Sequence, residues 1–141
     1  MADIKHAIQA AATPQQIYPL VATAEGLGQW WATDITEGET IDLSFFSRAT
    51  VYKLISFAMD APRRVEWVCE SGDEWGGTHL VFEMEPLKSG TMIRFKHAGW
   101  RAESAYFTSC NTTWGELMFR LKAVAEGKNP GPLFTREGWV A

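Results

Sequence analysis

From Phe107 to Gly127, apolar residues recur at steps of three and four, which is the period of one face of an α-helix. The closing glycine is typical of a helix end. The spacing predicts one amphipathic helix of about 24 residues, roughly 36 Å long at 1.5 Å per residue. A helix of that length crosses a whole small β-sheet, and its stripe can bury the sheet's concave face. The stripe consists of Phe107, Cys110, Trp114, Leu117, Met118, Leu121, Val124 and Ala125.

Several segments ahead of this helix are rich in β-branched and aromatic residues and are separated by turn sequences. Near the N-terminus, Ile4, His6 and Ile8 alternate with polar residues, as in a half-buried strand. Short connections favour antiparallel pairing of successive strands. The other predicted strands cover residues 40–46, 50–58, 63–70, 78–85 and 91–97.

Between the first strand and the rest of the sheet, the sequence predicts two short helices. Thr13 is a candidate N-cap, Pro14 suits the first helical position, and Gln16 completes a capping box. Because Pro19 cannot donate a helical hydrogen bond, this helix should be short or kinked. A second helical turn is predicted over residues 25–31.

This order of elements predicts an α+β fold of helix-grip type. A curved antiparallel sheet of six to seven strands would wrap around the long C-terminal helix. Residues 1–127 would form this domain. Residues 128–141, which include Pro130 and Pro132, would form an irregular tail held by Phe134 and Trp139.

Charge and composition narrow the classes of partner. A net charge of −4 with no dense run of Lys or Arg argues against nucleic acid. No apolar segment suits a signal peptide or approaches the roughly 18 residues of a membrane span. Cys69 and Cys110 are expected to be reduced, partly buried thiols, as in a cytoplasmic protein. With three histidines at no ligand spacing, we expect neither a metal nor a cofactor.

His97 is the first candidate for chemistry. It shares the inward parity of Ile93 and Phe95, so its ring should point toward the helix near a strand end. It could bind a polar ligand group or act as an acid or base. Alternatively, it is a structural histidine that ties the strand to the corner expected at residues 97–100. His6 suits the edge of the cavity, and His79 should face solvent.

Three short motifs carry a family resemblance: Trp75-Gly76-Gly77-Thr78, then His97-Ala98-Gly99-Trp100, and then Trp114 with Leu117, Leu121 and Glu126-Gly127. In this order the chain resembles the START/Bet v-type helix-grip (SRPBCC) superfamily over residues 4–127. The branch it is most similar to is the activator of heat-shock protein 90 ATPase homologue-like domain. Relatives implied by the resemblance include binders of lipids and hormones, polyketide cyclase/aromatase enzymes and chaperone activators.

The resemblance leaves three functions open. The first is binding of a small hydrophobic or aromatic ligand in an internal pocket between the sheet and the C-terminal helix. The second is a chaperone-ATPase activator-like protein contact, with a chaperone or a second copy as partner, although no second docking domain is evident. The third is a polyketide cyclase-like enzyme, for which only His97, Asn111, Tyr52 and Tyr106 offer polar groups. No pattern ties these residues together, so an enzyme is the weaker hypothesis.

Large rings are expected on both sides of the gap between sheet and helix, where they can pack solid or leave a cavity. The resemblance places Trp30 and Trp31 at the pocket mouth. Asn111 could give one directed hydrogen bond, or it could lie on the solvent side of the helix. The predicted ligand-binding set is Trp31, Trp67, Phe82, Phe95, His97, Asn111, Trp114 and Met118.

Overall fold

The structure is a computed structural model that describes residues 2–47 and 49–135. Within these residues, seven strands form one antiparallel sheet in the order β1-β7-β6-β5-β4-β3-β2. The elements are β1 (Ala2–Ala10), α1 (Pro14–Ala22), α2 (Ala24–Leu27), β2 (Ile35–Glu37), β3 (Ile41–Phe45), β4 (Thr50–Asp60), β5 (Arg64–Cys69), β6 (His79–Leu87), β7 (Gly90–Trp100) and α3 (Ala105–Ala125).

The predicted α+β helix-grip architecture is confirmed, with a curved sheet against the long C-terminal helix. Helix α3 has 21 residues, slightly fewer than predicted. Ser104 caps its N-terminus by accepting a hydrogen bond from the Phe107 N–H at 3.1 Å, and Gly127 follows its C-terminus with a φ of +89°. The buried side chains of α3 are Phe107, Cys110, Trp114, Leu117, Met118 and Leu121, as the stripe predicts.

The N-terminal cap of α1 also forms as predicted. The Gln16 N–H donates to Thr13 Oγ1 at 3.2 Å, and the Thr13 N–H donates to Gln16 Oε1 at 2.8 Å. The helix is short, with nine residues, and it includes Pro19. Helix α2 is shorter still and is followed by a turn, which brings Trp30 and Trp31 under the sheet.

Two sequence-based expectations about the strands are wrong. Residues 97–100 do not form a corner, because β7 continues through them to Trp100 and pairs with β1. A β-bulge there places Gly99 at a φ of +89°, where its N–H donates to Asp3 Oδ1. Strand β2 was missed because it has three residues, none of them buried, which is too short for a periodic signal.

The segment after α3 returns to the domain and is held by backbone hydrogen bonds. The N–H groups of Leu133 and Phe134 donate to the carbonyls of Trp30 and Trp31 at 3.1 and 3.0 Å. The side chains of Leu133 and Phe134 are buried. Phe134 therefore holds the tail as predicted, whereas Trp139 lies outside the described residues. Among the described helices, none combines the length and hydropathy needed to cross a membrane.

Candidate ligand-binding cleft

A cleft of about 610 Å³ lies between α3 and the strands β3 and β4. Its size falls within the range of small-molecule sites. Side chains of α3 form one wall, the β3–β4 hairpin forms another, and Trp31, residues 72–75 and Phe134 complete the lining. The α3 residues in the lining are Tyr106, Ser109, Cys110, Thr113, Trp114 and Leu117.

Aromatic rings in contact with one another give the cleft stiff walls. Tyr52 stacks on Trp75 with ring centroids 3.9 Å apart and planes 12° from parallel. Trp31 contacts Trp114 at 4.9 Å between centroids. Phe134 meets Phe45 edge to face at 5.0 Å. Such rings offer large apolar area at low entropic cost, which suits a flat apolar ligand.

The polar groups of the cleft gather where β4 meets α3. The hydroxyls of Tyr52 and Tyr106 are hydrogen-bonded to each other. Burial raises the pKa of Tyr52 to about 12 and raises the pKa of Tyr106 even further, so both phenols are neutral at physiological pH. Burial also raises the pKa of the adjacent Cys110 thiol, an effect that the nearby Tyr106 and Trp75 side chains partly offset.

Two carboxylates, Asp73 and Glu74, also line the cleft. The Ser104 hydroxyl donates a hydrogen bond to Glu74 Oε1 at 2.5 Å. The negative charge of Glu74 adds to the burial that raises the pKa of both Tyr52 and Cys110. Its electrostatic potential therefore reaches the polar end of the cleft.

His97 is fully buried beside the cleft rather than within its lining. Trp114 Nε1–H donates to His97 Nδ1 at 3.2 Å, so Nδ1 is an acceptor. His97 Nε2–H can then donate to Thr78 Oγ1 at 2.8 Å, whose own proton goes to the Trp75 carbonyl at 2.6 Å. Burial lowers the pKa of His97 to about 3. Both ring nitrogens form hydrogen bonds and the ring is neutral. These properties are those of a structural histidine, the second of the two roles that the sequence suggests.

The structure separates the predicted site residues into two groups. Trp31 and Trp114 line the cleft. Trp67, Phe82, Phe95 and Met118 are buried in a solid core beneath the centre of the sheet, outside the lining. Phe95, for example, packs between Phe82 and Trp114 at centroid distances of 5.0 and 4.1 Å. Rings on the central strands thus fill the interior beneath them. The cleft lies beside this core, next to β3 and β4.

Asn111 lies on the exposed side of α3 and outside the cleft lining. This is the second of the two positions that the sequence suggests for it. Its backbone carbonyl accepts a hydrogen bond from His6 Nε2 at 3.2 Å. His6 lies on the edge strand β1 and outside the cleft lining, rather than at the edge of the cavity. His79 lies on the other face of the sheet, where Nδ1 is 2.6 Å from Glu66 Oε2 and the ring contacts Phe57.

Sequence reasoning missed several residues that line the cleft. The sequence marks Trp75 only as part of a family motif, which does not show which rings it contacts. Phe45 ends β3 and Phe46 follows it, and the sequence marks Phe134 only as a support for the tail. Tyr52 and Tyr106 were named as polar candidates, but no spacing shows that their hydroxyls meet across 54 residues.

The described residues contain no cluster of three or more His, Cys, Asp or Glu side chains that could hold a metal ion. Cys69 and Cys110 are both free and buried. Burial raises the pKa of the Cys69 thiol to about 12.

The chain resembles several solved structures. It is 29% identical to the Aha1 dimer from Colwellia psychrerythraea, with a TM-score of 0.80 over 90% of this chain and 98% of that one. BH1534 from Bacillus halodurans is 20% identical, with a TM-score of 0.71 over 89% of this chain and 98% of that one. CalU16 from Micromonospora echinospora is 14% identical, with a TM-score of 0.73 over 92% of this chain and 68% of that one. The last two likenesses concern the fold alone.

A search of proteins with curated functions finds no significant match. A family model described as "Activator of Hsp90 ATPase homolog 1-like protein" matches residues 11–126, which is most of the chain. The helix-grip fold, the order of the motifs and this match agree. The chain belongs to the Activator of Hsp90 ATPase homolog 1-like protein family.

Proposed function

We propose that this protein binds a small, flat and largely apolar molecule in the cleft between α3 and the β3–β4 hairpin. The observation that carries the proposal is the cleft itself, with a volume of about 610 Å³ and walls built from rings of both sheet and helix. A pocket of this size admits a molecule of two to four fused rings. The ring contacts described above make the walls rigid before any ligand arrives.

The composition of the walls favours apolar contact with a few directed polar groups. Rings such as Trp31, Phe45 and Trp114 offer broad apolar surface. The phenols of Tyr52 and Tyr106 and the Cys110 thiol supply polarity at one end. This distribution is typical of sites that hold a ligand by shape and orient it with a small number of hydrogen bonds.

The test is a variant that fills the cleft without touching the core. Thr113 lines the cleft, whereas its neighbour Thr112 is exposed on α3 and lies outside the lining. We expect Thr113→Phe to weaken the binding of a planar probe such as fluorene at least tenfold, as measured by isothermal titration calorimetry. Thr112→Phe makes the same chemical change on the same helix and should leave the affinity within twofold of wild type. Equal affinities in all three proteins would exclude the cleft as the binding site.

A protein contact is the second candidate, favoured by the family and by the dimeric relative from Colwellia psychrerythraea. Phe119 on α3 and Phe57 on β4 are large apolar side chains with exposed fractions of 64% and 63%. A second copy of this chain or a chaperone ATPase would cover such residues. Sedimentation of the wild type against Phe119→Ser and Phe57→Ser, and ATPase assays with added protein, would test this function independently of the cleft.

An enzymatic role of polyketide cyclase type receives less support. The buried, neutral His97 cannot exchange protons with a ligand in the cleft at physiological pH. The phenols of Tyr52 and Tyr106 are neutral, so they can donate hydrogen bonds but do not act as bases. Orientation of a ligand is therefore the role that these polar groups suit.

A further inference from the structure

The polar end of the cleft contains two hydrogen-bond donors that are not fully used, a phenol O–H and an indole N–H. Tyr52 and Tyr106 each carry one O–H, and a single hydrogen bond between the two hydroxyls uses only one of these protons. If Tyr106 donates, the Tyr52 O–H is left over; if Tyr52 donates, the Tyr106 O–H is left with the Cys110 sulfur, a weak acceptor. Tyr106 is 38% exposed and lines the cleft, so this end of the pair is accessible to a ligand.

The indole N–H of Trp75 adds a second unmatched donor. Trp75 is 4% exposed, and its Nε1 is fully buried without a hydrogen-bond partner among the described residues. The neighbouring Cys110 sulfur is a weak acceptor at best. Buried donors without acceptors are uncommon and cost free energy. Binding of a ligand group that supplies an acceptor here would remove that cost.

Of the two carboxylates that line the cleft, Glu74 is engaged at the start of α3. Oxygen Oε1 of Glu74 already accepts from the Ser104 hydroxyl, which caps α3. The charge of Glu74 also disfavours a second anion nearby, as its effect on the ionisation of Tyr52 and Cys110 indicates. A ligand hydroxyl would bring a further donor, whereas a carbonyl oxygen supplies two lone pairs and no proton.

We propose that the cleft recognises planar molecules that carry an uncharged carbonyl oxygen, such as aromatic ketones or quinones, and that the Tyr52–Tyr106 pair donates the hydrogen bond to that oxygen. This inference rests on the proposed function and specifies the chemical class of the ligand. The aromatic walls bind the rings, and the phenol pair determines which end of the ligand enters beside α3.

The experiment compares two probes with nearly the same skeleton, fluorene and 9-fluorenone, which differ by one carbonyl oxygen. We expect the wild type to bind fluorenone about 3–10 times more tightly, the effect of one net hydrogen bond. The double variant Tyr52→Phe/Tyr106→Phe keeps both rings but removes both O–H donors, so it should reduce the ratio of the two affinities to nearly one. Tyr18→Phe, in α1 and outside the cleft lining, should keep the wild-type ratio.

The possible failures are distinguishable. If wild type binds both probes equally while Thr113→Phe abolishes binding, the cleft binds ligands but the carbonyl inference is wrong. If fluorene-9-carboxylate binds more tightly than fluorenone, the preference for an uncharged acceptor is overturned. If neither probe binds and Thr113→Phe changes nothing, the proposed function itself fails.

Discussion

The Trp114 indole and the His97 imidazole are joined by a hydrogen bond of 3.2 Å that links α3 to β7. His97 continues the chain of hydrogen bonds to Thr78, which directly precedes β6, and Thr78 continues it to the backbone of Trp75. The four residues thus connect α3, β7 and the segment that leads into β6. Their arrangement, together with burial, disfavours protonation of His97 in the folded state.

We predict that His97 makes stability depend on pH. Its pKa is lowered by burial to about 3 in the folded protein, against a reference value near 6.5 in the unfolded chain. The unfolded state therefore binds the proton first as pH falls. The stabilisation is fully present above about pH 6.5 and is lost progressively toward pH 3, at up to about 1.4 kcal/mol per pH unit.

Urea unfolding of wild type and His97→Gln between pH 8 and pH 4 measures this effect. The variant should be less stable than wild type at pH 8, because the contacts with Trp114 and Thr78 are altered. Its stability should fall less steeply with acid, because the titrating ring is gone. Parallel pH profiles for the two proteins would show that His97 does not supply the dependence.

Trp114 should be among the most important side chains for stability. It is almost completely buried and contacts Trp31, Phe95 and His97. We expect Trp114→Ala to lower the free energy of unfolding by about 3–5 kcal/mol, the usual range for truncation of a buried ring. Phe119→Ala removes a large ring from the exposed side of the same helix and should change stability by about 0.5 kcal/mol or less. A loss below about 1 kcal/mol for Trp114→Ala would contradict its role in the core.

Phe134 should affect binding as well as stability. Its ring contacts Phe45 at 5.0 Å and Phe46 at 6.2 Å between centroids and forms one end of the cleft. We expect Phe134→Ala to weaken the binding of fluorene by about 2–10-fold through the loss of an aromatic contact. Leu133→Ala also removes a buried side chain from this segment but lies outside the cleft lining, so it should lower the melting temperature and preserve affinity. Similar binding losses in both variants would show that the tail acts only through stability.

The two cysteines should resist alkylation in the native protein. Burial raises the pKa of Cys69 to about 12 and also raises the pKa of Cys110, so folding reduces the thiolate fraction of both side chains and shields them from reagent. Iodoacetamide labelling followed by mass spectrometry should proceed at least tenfold more slowly than in urea-unfolded protein. Native labelling of Cys110 at the unfolded rate would mean that its surroundings do not shield the thiol.

Much of the fold could be predicted because it depends on local periodicity. The stripe of α3 required only the spacing of apolar residues, and the start of α1 required only Thr13, Pro14 and Gln16. The inward direction of His97 followed from strand parity. The hydrogen-bond partners of His97 could not be predicted in this way, because Thr78 and Trp114 belong to other segments of the chain.

The position of the cleft could not be predicted, because it depends on which rings meet. Phe82, Phe95 and Trp114 fill the space beneath the centre of the sheet, and only their relative positions show this. The Tyr52–Tyr106 contact joins β4 to α3, a pairing with no signal in either segment. The bulge at Gly99 likewise depends on the register with β1, which no local pattern of β7 reveals.

The backbone hydrogen bonds between Leu133–Phe134 and Trp30–Trp31 have a consequence for which part of the chain builds the cleft. The family match ends at residue 126, yet a ring from residue 134 closes part of the cleft. One wall of the cleft is therefore contributed by residues that follow the region matched by the family model, although Leu133 and Phe134 belong to the same core as the sheet and the long helix. A change in this segment would alter the shape of the cleft and the stability of the fold together.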